Sequence, residues 1–462
     1  MKARELINIG IPKGDLLKIA QKVAVIAAQS GLGKTEIRNE IIELVNKPED
    51  YRKDPIFKEL AEAFIPKKQE FLKIGESAPW KLWGEDIEPE ALKQMENAAR
   101  LPVARAGALM PDAHVGYGLP IGGVLATENA VIPYAVGVDI ACRMKLTVMD
   151  LPTELLKTHK KHLINVLETE TKFGTGETWR NPRDHDVMSL DWGASSLTRQ
   201  LKAKAQGQLG TSGSGNHFVE YGILKINSDD LGLKVGEYLA LLSHSGSRGP
   251  GAMIAAHFSK LAKDFHPELP PELKNLAWLD MNRQSGAEYW YAMNLMGEFA
   301  AANHAVIHRE MVRSLGAKVL LDVENHHNFA WKETHNGKEY IVHRKGATPA
   351  GKGVLGIIPG SMASPAFLVR GRGNAESLNS ASHGAGRLMS RTKAKTMFTW
   401  SDVKKQLDEK GVTLLSAGID EVPGVYKDIH KVMSYQQDLV DIIAQFDPKI
   451  VKMAPAGEKP ED

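Results

Sequence analysis

The sequence contains one cysteine, Cys142, so no disulfide can form within the chain. That scarcity fits a reducing compartment, and a cytoplasmic protein is expected. No run of about 18 uncharged apolar residues occurs, so no membrane-spanning helix is expected. The opening residues, MKARELINIGIPKGDLL, lack the apolar stretch of a secretory signal. An excess of either charge is also missing: 58 Lys and Arg stand against 56 Asp and Glu, a formal +2. No overall field draws the molecule to nucleic acid, and any such contact must use a local basic surface. Aromatic residues make up only 6%.

Glycine, in contrast, is abundant at 42 residues, and its distribution divides the chain. Residues 1–85 read as a helical extension. GDLLKIAQKVAVIAAQ and TEIRNEIIELVN place apolar residues at helical spacing, and DPIFKELAEAFI repeats the pattern after Asp54-Pro55. Residues 86–462 read as one catalytic domain. From about residue 100, short apolar runs alternate with glycine turns: LPIGGVLAT, VIPYAVGVDIACRMKLTVMDL, EYLALLSHSGSRG, AKVLLDVENHHNFAW and FLVRGRG. Helices are expected at 151–170 and 286–316, and the charged, proline-rich stretch 445–462 reads as a docked or frayed tail. Strands and helices do not alternate regularly, which favours α+β over a doubly wound sheet.

One phosphate-binding pattern is a decoy. Residues 28–35, AQSGLGKT, approach G-x-x-x-x-G-K-[ST], but Ala28 replaces the first glycine. Too little chain follows for the sheet of a P-loop enzyme, so a helix–loop–helix is expected. Ser30-Gly31 or Gly33 would close its first helix.

A set of metal-ligand residue types carries more weight. Asp139 and Cys142 lie three apart in VGVDIACRM, and Asn216, His217 and Glu220 lie in GTSGSGNHFVE. His244 opens HSGSRG, and His327-Asn328 follow in ENHHNFAW. Thiolate and imidazole suit zinc, iron, cobalt or manganese, and one thiolate can bridge two ions. Each residue also has an ordinary reading, since a lone cysteine beside apolar residues packs as a small hydrophobe. Residue chemistry alone leaves a metal site and unconnected side chains equally open. His326 and His327 cannot both enter one site if they share a strand, because neighbours point to opposite faces.

A basic, glycine-rich region follows in HRKGATPAGKG, IPGSMASPAFLVRGRG and SASHGAGRLMSR. Arg344, Lys345, Lys352, Arg370, Arg372, Arg387 and Arg391 suit polyphosphate, although scattered surface arginines look the same. His383 sits among serine and glycine, where an imidazole could act as base or nucleophile. Asp112 and His114, in MPDAHVGYGLPIGG, are a weaker signal: a carboxylate that could orient an imidazole or bind a cation.

Taken in order, MPDAHVGYGLPIGGV, VGVDIAC, GSGNHFVE, HSGSRG, HNFA, HRKGAT, IPGSM and SHGAGRLMSR closely resemble the RtcB family of RNA ligases over residues 100–430. The resemblance implies an α+β catalytic domain with its site in a cleft between sheets. It implies a GTP- and Mn²⁺-dependent enzyme joining 2′,3′-cyclic-phosphate or 3′-phosphate ends to 5′-hydroxyl ends. Cys142 would bridge two manganese ions, with His244 and His327 on one and Asp139 and His217 on the other. Asn216 and Asn328 would meet GTP phosphates, Glu220 the guanine edge, and Ser361 would join the nucleotide pocket; Arg387, one turn after His383 if that segment is helical, would sit beside the phosphates. His383 would carry GMP, and Asp112, His114, Arg344 and Lys345 would offer RNA or phosphate contacts. Broken tRNA or rRNA fragments are the expected partners, acted on by a monomer, with any protein activator left open. Four features depart from the pattern: the extension 1–85, Pro349 in place of an arginine, Ala366 in place of a serine, and a terminal lysine with only Lys459 near it. A phosphoesterase that opens cyclic phosphates without sealing, or a non-catalytic RNA-binding factor, would be the alternatives.

Overall fold

The structure is a computed structural model and describes residues 1–65, 72 and 75–458. Lys459 lies outside them. The chain divides into two compact units, Met1–Phe71 and Leu72–Asp462.

The first unit is built from the helices Ala3–Asn8, Asp15–Gln29, Lys34–Asn46 and Lys58–Phe64. Asp15–Gln29 buries Ala20, Val23, Ala24 and Ala27, a single stripe at helical spacing, against Ile37, Ile41 and Leu44 of the next helix. The AQSGLGKT stretch is the turn between these helices. Ser30 caps the first, and Gly31 takes φ +94°. Its amides point back into the fold: Gly31 N donates to Ala28 O, Leu32 N to Ala27 O and Gly33 N to Glu36 Oε2. No phosphate cradle forms there. Asp54 holds the next turn by accepting from Ile56 N and Phe57 N.

The second unit is α+β, with two principal sheets. The smaller runs, in spatial order, Trp80–Leu82, Ala104–His114, Ile121–Thr127, Lys338–Lys345 and Asn328–His335. Trp80–Leu82 pairs in parallel with Gly107–Leu109, so residues 80–82 belong to this unit's sheet. The larger runs Leu355–Ile358, Ala366–Gly371, Val440–Met453, Phe218–Ile226, Gly236–Ser245, Arg143–Met149 and Val319–His326, with Thr413–Ser416 added in parallel to Val440–Met453. The 32-residue helix Gln284–Leu315 packs beside it and ends at Gly316, a left-handed C-cap with φ 63°.

Two sequence-based expectations need correction. Residues 445–453 are no tail; they finish the long strand Val440–Met453, paired along Phe218–Ile226. Buried Phe446, Pro448 and Ile450 alternate with half-buried Asp447 and Lys449. The charges are the outer half of a period-two pattern, and Pro448 sits where the register slips, so its missing N–H costs little. VIPYAVGVDIACRMKLTVMDL is also not one strand. A short helix, Pro133–Val136, and a turn precede Arg143–Met149.

Candidate metal and nucleotide centre

Strand register gathers the candidate ligands. Arg143 pairs with Ser245 on one side and with His326 on the other, and Phe218 pairs with His244. Cys142, His217, His244 and His327 therefore come to the same end of four adjacent strands. His327 N donates to Cys142 O at 3.0 Å. Ala141 takes φ +57°, a left-handed conformation costing about 1–2 kcal/mol for a residue with a Cβ. Its N–H donates to Asn328 O at 2.7 Å, which fixes the turn that presents Cys142.

The donors fall into two trios sharing Cys142: Cys142, His244 and His327, and Asp139, Cys142 and His217. All are buried. Cys142 Sγ lies 3.0 Å from His244 Nε2 and 3.5 Å from His217 Nε2, and His244 Nε2 lies 3.1 Å from His327 Nε2. Tautomers follow from the far side of each ring. His217 Nδ1 lies 2.9 Å from Ser212 O and 3.4 Å from Arg248 Nη1; the shorter contact with a carbonyl requires Nδ1–H. His244 Nδ1–H donates to Asn216 O at 3.2 Å. Both Nε2 lone pairs thus face the sulfur, and His217 Nε2 meets Asp139 Oδ2 at 3.1 Å. Lone pairs turned toward one another, a sulfur and a buried carboxylate make a donor set that fits cations. Burial drives His244 down to about 3 and His327 well below its ordinary value, so both imidazoles are neutral and ready to ligate. Gly246 lies against the same group: a Cβ there would stand 2.1 Å from either Asp139 oxygen.

His383 lies beside this group, its ring centroid 4.9 Å from that of His327. Asp112 Oδ2 accepts from His383 Nδ1 at 2.7 Å, His383 N at 3.1 Å and Gly384 N at 3.3 Å. Burial raises the Asp112 carboxyl, but His383, His114 and Lys427 outweigh it and hold it below the ordinary carboxylate range. An ionised Asp112 fixes Nδ1–H and leaves the lone pair on Nε2, at the opposite edge of the ring.

A cleft of about 620 Å³ opens from these groups between the ends of the two sheets. Asn216, Glu220, Asn328, Ser361, Ala366 and Arg387 all line it. Burial raises Glu220 well above the carboxylate range. Asn216 Oδ1 is buried, with no hydrogen-bond partner among the described residues. Asn328 bridges backbone, donating to Asp139 O at 3.2 Å and accepting from Gly346 N at 2.8 Å. Ser361 Oγ donates to Ser364 Oγ at 2.9 Å. His114 and Lys345 also reach the cleft, and burial lowers Lys345 to about 7.

A family model described as tRNA-splicing ligase RtcB matches residues 94–191 and 190–453. The chain belongs to the RtcB family. It is 37% identical over 404 residues to RNA-splicing ligase RtcB1 of Escherichia coli, covering 80% of this chain and 95% of that protein. It is 36% identical over 399 residues to RNA-splicing ligase RtcB of Escherichia coli K12, with the same coverage. Against tRNA-splicing ligase RtcB of Nanoarchaeum equitans it is 30% identical over 440 residues, covering 79% of this chain and 91% of the relative.

Within this RtcB-family domain, one expected contact is placed differently. Arg344 does not reach the cleft. It is fully buried, paired with Glu333 at 2.6 Å and bonded to Ser380 Oγ and Leu378 O. Its strand position points it to the core, where it organises other residues. Arg387 lines the cleft from a segment that is not helical; it forms an isolated bridge with Tyr426, and its guanidinium bonds Met389 O, Asp420 O and Glu421. His326 turns away from His327 and packs on Phe329 and Trp331. Sequence reasoning missed Lys427, whose Nζ donates to Pro111 O and Ala113 O on either side of Asp112. Nothing in GVYKD signals that role. It also passed over Arg248, although HSGSRG displays it.

Proposed function

We propose that this chain is an RNA ligase that joins 2′,3′-cyclic-phosphate or 3′-phosphate ends to 5′-hydroxyl ends, using GTP and two Mn²⁺ ions. Relatives named RNA-splicing and tRNA-splicing ligases support the reaction class. The observation that carries the detailed reading is His383: its Nδ1 is bonded to Asp112, and its ring lies beside the gathered donors.

Asp139 and His217 would hold one ion and His244 and His327 the other, with Cys142 shared; the ions would neutralise phosphate charge and align oxygens. A cyclic phosphate is first opened by water to a 3′-phosphate. His383 Nε2 then attacks the α-phosphorus of GTP, and pyrophosphate leaves. Asp112 stabilises the cation that forms on the ring. The RNA 3′-phosphate takes GMP from His383, and the 5′-hydroxyl oxygen displaces GMP as the new phosphodiester forms. This order is physically sensible, because a bare phosphate dianion is a poor electrophile and GMP is a good leaving group. Glu220, kept neutral by burial, would face guanine within the cleft. Tyr426 and Arg387 form part of its wall.

The test is incubation with GTP labelled at the α-phosphate and Mn²⁺, followed by broken RNA. An acid-labile protein adduct that His383→Ala lacks, and a longer RNA product, are expected. No labelling of the wild type under any metal condition would overturn the reading. Cyclic-phosphate opening without a longer product would make the protein an end-processing phosphoesterase.

A further inference from the structure

One aromatic side chain at the cleft is used by none of this chemistry. Tyr117 is 70% exposed, yet it lines the same cleft as His383. Its loop is tied down on several sides. Gln94 donates to Gly116 O at 2.6 Å and accepts from Gly116 N at 3.0 Å. Lys345 Nζ donates to Tyr117 O at 2.5 Å. Gly118, at φ +78°, lies against Asn275, whose carbonyl oxygen is 2.9 Å from where a Cβ would stand. The backbone is therefore held while the ring faces solvent.

The surroundings suit a nucleotide. Tyr134 approaches Tyr117 edge-on, with centroids 6.4 Å apart and planes at 70°. Lys263 Nζ and Lys345 Nζ lie over the neighbouring Tyr134 ring, 5.0 Å and 5.7 Å from its centroid. The platform and the nucleophile line one cleft, joined through Lys345 and Gly346. Lys345 precedes Gly346, and a Cβ on Gly346 would lie 3.1 Å from His383 Cε1. A fixed, exposed ring with amines alongside is how proteins hold unpaired bases: the face stacks and the amines meet phosphate.

We infer that Tyr117 is a stacking platform for the unpaired terminal base of an RNA end, holding that end in line with His383. The inference rests on the ligase reading. Stacking takes any base, since each has a π-face, so the end is selected by its phosphate or hydroxyl rather than by sequence.

The experiment uses the full chain and short single-stranded RNAs. Each carries 2-aminopurine at its terminal nucleotide next to an abasic spacer, at the 3′-phosphate end in one RNA and the 5′-hydroxyl end in the other. Emission of one should be quenched on binding to wild type. Tyr117→Ala should lose the quench and raise KM for RNA roughly 5- to 150-fold, the span expected for one base stack. Tyr117→Trp should restore both. Rates are normalised to the fraction of protein labelled by GTP without RNA, which counts correctly folded molecules. Equal quenching and equal KM in wild type and Tyr117→Ala would overturn the inference. Wild type that quenches both variably and never seals RNA would overturn the ligase reading instead, because sealing and stacking are read separately.

Discussion

Asp112→Asn isolates the contribution of one buried charge. The carboxylate oxygen Oδ2 receives three N–H groups at 2.7, 3.1 and 3.3 Å, two of them from His383. Alanine would leave those donors buried without an acceptor, at about 1–3 kcal/mol each, and would confuse chemistry with folding. Asparagine keeps the shape and one acceptor oxygen. It loses the charge, and a hydrogen bond to a charged group is worth about 1–2 kcal/mol more than a neutral one. It also admits a flipped amide, whose NH₂ would force the lone pair onto Nδ1 and take it from Nε2. Wrong-tautomer substitutions of this kind cost on the order of 10⁴ in rate, and loss of a general-base partner about 10²–10⁴. We expect single-turnover labelling by GTP to slow by about 10²–10⁴, equivalent to roughly 3–5.5 kcal/mol at the barrier. Asp112 belongs to neither donor trio, so bound metal should not change. Labelling within about three-fold of wild type, or loss of metal alongside loss of labelling, would refute the argument.

Gly246→Ala should push Asp139 aside and lower metal content from two ions to one per chain, whereas Cys142→Ala should remove both; metal analysis of dialysed protein checks this. Lys345, lowered by burial to about 7, is cationic below that pH and neutral above it. RNA affinity should therefore fall as pH rises from 6 to 8, a slope that fluorescence anisotropy should find flattened in Lys345→Gln. Chelation should lower the melting temperature, since a ligand at 100 times its Kd adds about 2.7 kcal/mol to the folded state. Calorimetry that shows the same melting with and without Mn²⁺ would rule out a tightly held metal.

Local chemistry that repeats a strict spacing was legible in the sequence. The stripe Ala20, Val23, Ala24, Ala27 gives its helix away, and the glycine-flanked apolar runs give away the strands around Ile121–Thr127 and Gly236–Ser245. Legibility ended where burial is decided by distant partners. Asp447 and Lys449 read as tail residues because their alternate neighbours are buried only by pairing with Phe218–Ile226. Arg344 read as a phosphate ligand because Glu333, Ser380 and Trp331, which enclose it, are not adjacent in the chain. Asp112 read as a weak signal because nothing near it in sequence shows that His383 needs an acceptor there.

The candidate ligands show the same limit from the other side. Each of Asp139, Cys142, His217, His244 and His327 has an ordinary reading alone, and their spacing along the chain carries no ligand pattern. What joins them is register: Cys142 precedes a strand flanked by those that end in Ser245 and His326, and His217 precedes the strand paired at His244. The outer edges of two rings are then fixed by carbonyls, Ser212 O for His217 and Asn216 O for His244. Those two hydrogen bonds compel the inner nitrogens to present lone pairs to a sulfur and a carboxylate. Backbone pairing far from the site holds these groups together. The sheet thus does for the ligands what Asp112 does for His383: it fixes the side of each ring that faces away, and so decides what the near side can bind.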